Sequence, residues 1–434
     1  MGAIQHSRPL LTGGEEPIMS KSIVIDADTH VFEPLEHFDR YLEEPFKHRS
    51  PRVFRDQWGI IRVLMEGRLY PDPSITVYEA HEKLQARAHD QAGGVHGHSP
   101  THGHDHVTEH LHDGHAGETS HEGHSHGEES NEGGLLEGVA MAMGRPGVTN
   151  PDARIKDLDT EGIDVQVILG SLCFAACTLR DPAFAVAFCK ACNNYVAEFC
   201  SSHPDRFKAV GIVPLQDAAA AICEARRVVK ELGMVGLSIP PSLPGKNLDH
   251  QDFYPFYDAV QQLQVPLGIH WGNGTYLPGA GTDRFNKHFL THVVGHPFEQ
   301  MIAMAALVCG GILEMFPRLK FGFLESGCGW VPYWLWRLDE EYRGRSLEVP
   351  LINRKPSEYI KGGQCFFSCS PDEWMIPAVA EAVGEDTIIF SSDYPHADGL
   401  FPDSVTTIRE RSDISDGVKR KILGENAARF FNLR

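Results

Sequence analysis

The 434 residues, 42% hydrophobic and 23% charged, fit an ordinary globular protein with either one large domain carrying an insertion or two domains. A formal net charge of −20 excludes the basic footprint that a nucleic-acid binder needs, and it works against binding to an anionic membrane. The ten cysteines are scattered. They read as buried or neutral thiols of a reducing cytosol, including the pair Cys189 and Cys192 inside a helical pattern.

Residues 1–21 lack the apolar core of a signal peptide and read as a flexible lead-in. No run of about 18 apolar residues occurs, so no transmembrane helix is expected and the location reads as cytoplasmic. The ordered domain, residues 22–434, starts with the apolar run 23–30, which ends in Asp28-Thr-His30. A short hairpin is expected over 58–70. The segment 91–134 then changes character, holding eleven of the 24 histidines among Gly, Ser and Glu. Almost nothing in it can pack, so it cannot offset its own ordering entropy, and it is expected to be a disordered insertion. Its HGH, HDH and HSH repeats offer only weak, exchangeable metal sites.

From residue 152 apolar runs alternate with helical stretches. The runs are 165–170, 208–215, 234–241, 265–270, 319–325, 365–369 and 388–393, making eight with the first. Helices are expected over 182–202, 218–232, 253–263, 283–315 and 372–383. Nearly all-apolar runs imply strands buried on both faces of a parallel sheet. At this length the expected fold is α/β, a (βα)₈ TIM-like barrel with the His-rich insertion. An open doubly wound sheet would need a Gly-rich phosphate loop after the first strand, and DADTHVFEP is not one.

In such a barrel chemistry sits where the strands end. Asp28 and His30, two apart, share one face of strand one with Asp26. Strand five ends in His270, strand six in Glu325, and strand eight in Asp393, followed by Tyr394-Pro-His396. Two imidazoles and two carboxylates, Asp28, His30, His270 and Asp393, suit a divalent metal such as Zn²⁺, Mn²⁺ or Fe²⁺. Such an ion lowers the pKa of a bound water or polarises a substrate oxygen.

These residues, with GHPFEQM (295–301), FPRLKFGFLESGCGWVPYWLWRLDE (316–340), FSSDYPH (390–396) and ENAARFFNL (425–433), resemble the amidohydrolase superfamily. More narrowly, they resemble the amidohydrolase-related branch that includes aminocarboxymuconate semialdehyde and hydroxybenzoate-type decarboxylases. The resemblance implies a metal held by Asp28, His30, His270 and Asp393, and a metal-dependent hydrolase or decarboxylase acting on a small organic acid or amide.

Two departures matter. Strand four reads MVGLSIPP, without the lysine that would bridge two metals in dinuclear hydrolases of the superfamily. At the end of strand six Glu325 stands where the decarboxylases place a histidine. A substitute is His296, because His288, His292 and His296 recur every four residues near one helix face. Glu299, three residues on, is expected to orient it. His296, Glu325 and Glu299 are therefore the expected catalytic set.

The same departure leaves a second reading open. His292, His296 and Glu325 would form a second metal site beside the first, resembling dinuclear iron or manganese oxygenases such as aminoisobutyrate hydroxylase. A third reading is a partner subunit that binds metal without turnover. The aromatic run Trp330, Tyr333, Trp334, Trp336 points to an apolar helix face and an oligomer, homomeric or heteromeric.

Overall fold

The computed structural model describes residues 22–55, 61–70, 145–270, 279–396 and 398–433. The expected lead-in 1–21 and the insertion 91–134 lie outside the described residues.

Eight parallel strands form one sheet: β1 (Ile25–Val31), β2 (Val165–Gly170), β3 (Phe207–Ile212), β4 (Gly236–Ile239), β5 (Leu267–Ile269), β6 (Phe321–Phe323), β7 (Cys365–Cys369) and β8 (Ile388–Phe390). They pair in chain order from first to last. The sheet curls until its ends meet: the His30 amide donates to the Tyr394 carbonyl at 2.7 Å, and the Ser391 hydroxyl donates to the Asp28 carbonyl at 3.4 Å. The result is a TIM-type barrel, as expected.

Helices follow the strands on the outside: α1 (Leu35–Tyr41), α2 (Pro151–Glu161), α3 (Pro182–Ser201), α4 (Ala218–Lys230), α5 (Tyr254–Leu263), α6 (His288–Cys309), α7 (Val331–Arg345) and α8 (Ile376–Val383). Local chemistry sets their starts. The Asn150, Asp181 and Asp217 side chains accept backbone N–H bonds at the first turns of α2, α3 and α4, and proline occupies the first turn of α2 and α3. The single helix expected over 283–315 is divided. α6 ends at Cys309, and Gly311, at φ +77°, turns the chain into a separate four-residue helix, Ile312–Met315. The helix expected from residue 372 starts only at Ile376.

The expected hairpin is present from residue 61, with a third strand. Ile61–Met65 pairs antiparallel with Arg68–Tyr70 around Glu66-Gly67 and, on its other edge, with Arg52–Arg55. Positive φ at both Glu66 and Gly67 matches the twist that a two-residue turn requires.

The apolar core is divided by the sheet. Inside the barrel Ile25, Ala27, Val167, Leu169, Val210, Leu324, Phe366 and Ile389 pack together with Phe430 and Phe431 from the chain's last helix. A Cβ on Gly236, the first residue of β4, would lie 3.2 Å from the Phe431 ring. The aromatic pair therefore fills the end where the strands begin. Polar residues are left to the opposite end.

Candidate metal centre

At the ends of the strands, titratable side chains meet in a buried cluster. Asp28 and His30 belong to the last turns of the β1 ladder, while His270 follows β5 by one residue. Glu325 and Asp393 stand two and three residues past β6 and β8. The last two have left-handed backbone, at φ 51° and 54°. Neither is glycine, so each costs about 1–3 kcal/mol, the kind of strain that persists where the surroundings fix a functional side chain.

His30 Nε2 lies 3.6 Å from Asp28 Oδ1 and 3.5 Å from Asp393 Oδ1. His270 Nε2 lies 3.6 Å from the same Asp28 oxygen and 2.9 Å from Glu325 Oε2. The ligand atoms of Asp28, His30 and His270 fall within 4.8 Å of one another, as do those of His30, Glu325, Asp393 and His396. Because His30 belongs to both groups, they describe one compact centre. Phe174, from the loop after β2, stacks on His270 with ring centroids 4.2 Å apart.

Burial and like charges together set the electrostatics of the cluster. Burial, then the charges of Asp393 and Asp26, pushes the Asp28 carboxyl well above the usual carboxylate range. Burial, then Asp393 and Asp28, does the same to Glu325. Burial, with His396 and His270 beside it, holds His30 far below an ordinary imidazole. Both Asp28 oxygens and both His30 ring nitrogens are buried without a hydrogen bond. Polar atoms so placed are normally satisfied, and a divalent cation would satisfy the Asp28 carboxylate and one His30 nitrogen together. The donor set thus fits a metal.

His396 joins the cluster as well, a residue to which the sequence pattern gave no role. Its Nδ1 lies 2.7 Å from Asp393 Oδ1, and its ring stacks on His30 at 4.7 Å. The i, i+3 spacing from Asp393 was the available signal. Burial opposes its charged form, but the Asp393 charge and hydrogen bond outweigh this and raise its pKa.

α6 supplies the wall beside the cluster. The Gln300 side chain donates to the Ile269 and Leu324 carbonyls at 2.8 and 3.0 Å, docking the helix onto the ends of β5 and β6. His296, one turn earlier on the same face, is thereby aimed at the site. It is buried, and neither ring nitrogen makes a hydrogen bond. Burial, then His292 and His270, lowers its pKa well below the ordinary value.

Glu299 corrects an expectation. It does not orient His296: its carboxylate accepts from the Ala280 amide at 2.6 Å and the Ser242 hydroxyl at 3.4 Å, which ties down loops instead. His292 turns toward Asp398, at 3.8 Å. Among the described residues the ligand atoms of His292, His296 and Glu325 do not form a metal-sized group. A cavity of about 550 Å³ opens beside the cluster, lined by His292, His296, Glu325, Asp393, Asp398 and Trp374 among others. Trp330 is not among its lining residues; it packs on Phe323 and Phe367 in the core. Tyr333 and Trp336 remain exposed.

A closed parallel barrel with imidazoles and carboxylates buried together at its strand ends is the architecture of a metal-dependent enzyme. The chain belongs to the Amidohydrolase family, whose profile matches residues 25–433. It is 30% identical over 287 residues to the 2-amino-3-carboxymuconate-6-semialdehyde decarboxylase of Dictyostelium discoideum, covering 65% of this chain and 77% of that protein. It is 31% identical over 310 residues to the gamma-resorcylate decarboxylase of Rhizobium radiobacter, covering 65% and 87%. Among solved structures, it resembles the 5-carboxyvanillate decarboxylase of Novosphingobium aromaticivorans complexed with manganese and 4-hydroxy-3-methoxy-5-nitrobenzoic acid. That match has a TM-score of 0.55 at 26% identity, covering 64% of this chain and 79% of that one. Among the described residues, no helix is long and apolar enough to cross a membrane.

Proposed function

We propose that this enzyme is a carboxy-lyase that releases CO₂ from a small organic acid and depends on one divalent ion. The observation that carries the reading is that the buried Asp28 and His30 side chains at the end of β1 make no hydrogen bond, in a chain whose relatives named above are decarboxylases. Asp28, His30, His270 and Asp393 would hold the ion, zinc or manganese. When bound, the ion supplies a Lewis acid that draws electron density from a substrate oxygen.

The chain's own residues handle the proton. Loss of CO₂ leaves an electron pair on carbon that must take up a proton, so an acid is required at the cavity wall. His296 is the residue placed to supply it. Its burial keeps the imidazole neutral, able to accept a proton from substrate or solvent. The same burial makes its imidazolium form a strong acid, which favours delivery of that proton to carbon. Glu325 Oε2, 2.9 Å from His270 Nε2, adds a carboxylate to the ligand-type atoms around the ion site. Neither named relative is an oxygenase, and His30 is shared by both ligand groups, so a single ion is the simpler occupancy.

The test is CO₂ release by the manganese- or zinc-loaded chain from a panel of hydroxy- and amino-substituted aromatic and conjugated carboxylic acids. The expected result is CO₂ equal to the substrate consumed, with no O₂ uptake. A hydroxylated product that keeps its carboxyl group, or amide hydrolysis without CO₂ release, would overturn the proposal.

A further inference from the structure

A second buried group of metal-ligand type lies behind the first and plays no part in the reaction above. Glu33 follows β1 by two residues, Cys173 lies in the loop after β2, and Cys192 is on α3. All three are buried. One oxygen and two sulfurs, one from each residue, lie within 4.8 Å of one another. Zinc bonds of about 2.3 Å to sulfur and 2.0 Å to oxygen place tetrahedral donors roughly 3.5 Å apart, which this spacing accommodates.

Burial alone does not make the cluster unusual, because free cysteines are commonly buried as small hydrophobes. The carboxylate among them is the anomaly. Glu33 sits against an apolar cluster that includes Phe38, Leu172, Ala175, Phe184 and Phe188. It accepts from the Leu172 amide at 2.9 Å, the Cys173 amide at 3.1 Å and the Cys173 thiol at 2.8 Å. Among the described residues no cationic side chain is paired with it. Buried carboxylates are normally neutralised by a paired cation, a proton or a metal.

The backbone is also shaped around the group. A Cβ on Gly170 would stand 2.1 Å from Glu33 Oε1 and 2.5 Å from Cys173 Sγ. Only glycine lets β2 approach the carboxylate and thiol this closely.

We propose that Glu33, Cys173 and Cys192 form a structural site for a thiophilic divalent ion of the zinc type, separate from the catalytic centre. Cys189, one turn before Cys192 and equally buried, stands nearest in sequence as a further sulfur donor. Binding releases thiol protons and ties the end of β1, the loop after β2 and α3 together. Phe174, the next residue after Cys173, stacks on His270. The site would thus stiffen the wall behind a catalytic ligand.

The catalytic centre offers nitrogen and oxygen donors, and the His-rich stretch adds imidazole. Metal counting alone therefore cannot isolate this site, but sulfur ligation can. The full chain is produced in cobalt-supplemented medium, so that sites fill as it folds, and its near-ultraviolet spectrum is recorded for the thiolate-to-cobalt charge-transfer band. The band is expected in the unaltered chain and in Asp393→Ala. In Cys173→Ala and in Cys192→Ala it should disappear, with loss of about one equivalent of cobalt. No band in the unaltered chain overturns the proposal and leaves Glu33 as a protonated hydrogen-bond partner. A band that survives both cysteine substitutions also overturns it.

Discussion

Asp26 and Asp28 lie two residues apart in β1 and both are fully buried, yet their surroundings are opposite, because the ladder slips between Asp26 and Thr29 and they do not share the face that simple alternation predicts. Asp26 is satisfied. Its oxygens accept from the Ser392 amide at 3.0 Å, the Ser392 hydroxyl, and Gln166 Nε2 at 3.1 Å. Gln166 accepts in turn from Arg154 Nε at 2.7 Å, and Arg154 also donates to the His30 carbonyl at 3.0 Å and lies 3.9 Å over the Tyr394 ring. Asp28, one step closer to the mouth, has no hydrogen bond and faces two imidazoles at 3.6 Å. Residue type, strand and burial are shared. The register slip, and the partners it gives each side chain, separate an aspartate that braces the barrel from one that stands at the proposed ion site.

The largest effect expected from breaking this contrast is at Asp28. Asp28→Asn should hold about one equivalent of metal less than the parent on elemental analysis, and CO₂ release should fall more than about 100-fold, beyond the 10–100-fold typical of residues that only orient ligands. The chelated variant should melt no lower than the chelated parent, because burial and the neighbouring carboxylates already disfavour the Asp28 charge there. Retained metal at full stoichiometry would contradict the ligand assignment.

His296→Ala tests the wall rather than the centre. We expect kcat to fall about 10²–10⁴-fold with metal content unchanged. A fall in metal content instead would move His296 into the ligand set.

Arg154→Met should act on the bracing network only, lowering stability by about 3–5 kcal/mol in denaturant unfolding. The variant that remains folded should still bind metal, and if it does not, floor and mouth are not separable.

The smallest effect belongs to Asp26→Asn, about 1–3 kcal/mol, and it carries a pH signature. Burial pushes the Asp26 carboxyl up from 3.8 to about 7. Between those values the folded chain holds a proton that the unfolded chain has released. This stabilising contribution is complete below the unfolded pKa and is lost as pH rises through about 7. The pH dependence of melting of the chelated chain should therefore be shallower in Asp26→Asn between those limits. An unchanged slope would show that Asp26 is ionised in the fold.

The barrel was legible because its signal is local. Each strand is a nearly continuous apolar run, and runs such as 165–170 match the observed strand to the residue. The residues gathered at the mouth were legible for a related reason, since they stand where those runs turn polar. What sequence could not show was partnership across long separations. Asp26 looked equivalent to Asp28 because its partners come from positions 154, 166 and 392. Glu299 looked like a companion of His296 by helical spacing, but its side chain is claimed by Ala280 and Ser242, which no local pattern places nearby. α2 was not expected, although Asn150-Pro151 is a helix-start signal.

The seam of the barrel also sets a timetable. Asp26 and Ser392, joined across it, are 366 residues apart in the chain, and the proposed ligands Asp28 and Asp393 straddle the same seam. A ribosome making this protein exposes the first half of the centre long before the second exists. Until β8 emerges, Asp28 and His30 have no fourth donor to complete a cage. Metal uptake at the barrel mouth would then wait for β8, whereas the proposed sulfur site, complete once Cys192 has emerged, would fill much earlier, and metal retention by nascent chains of increasing length would rise in two separate steps.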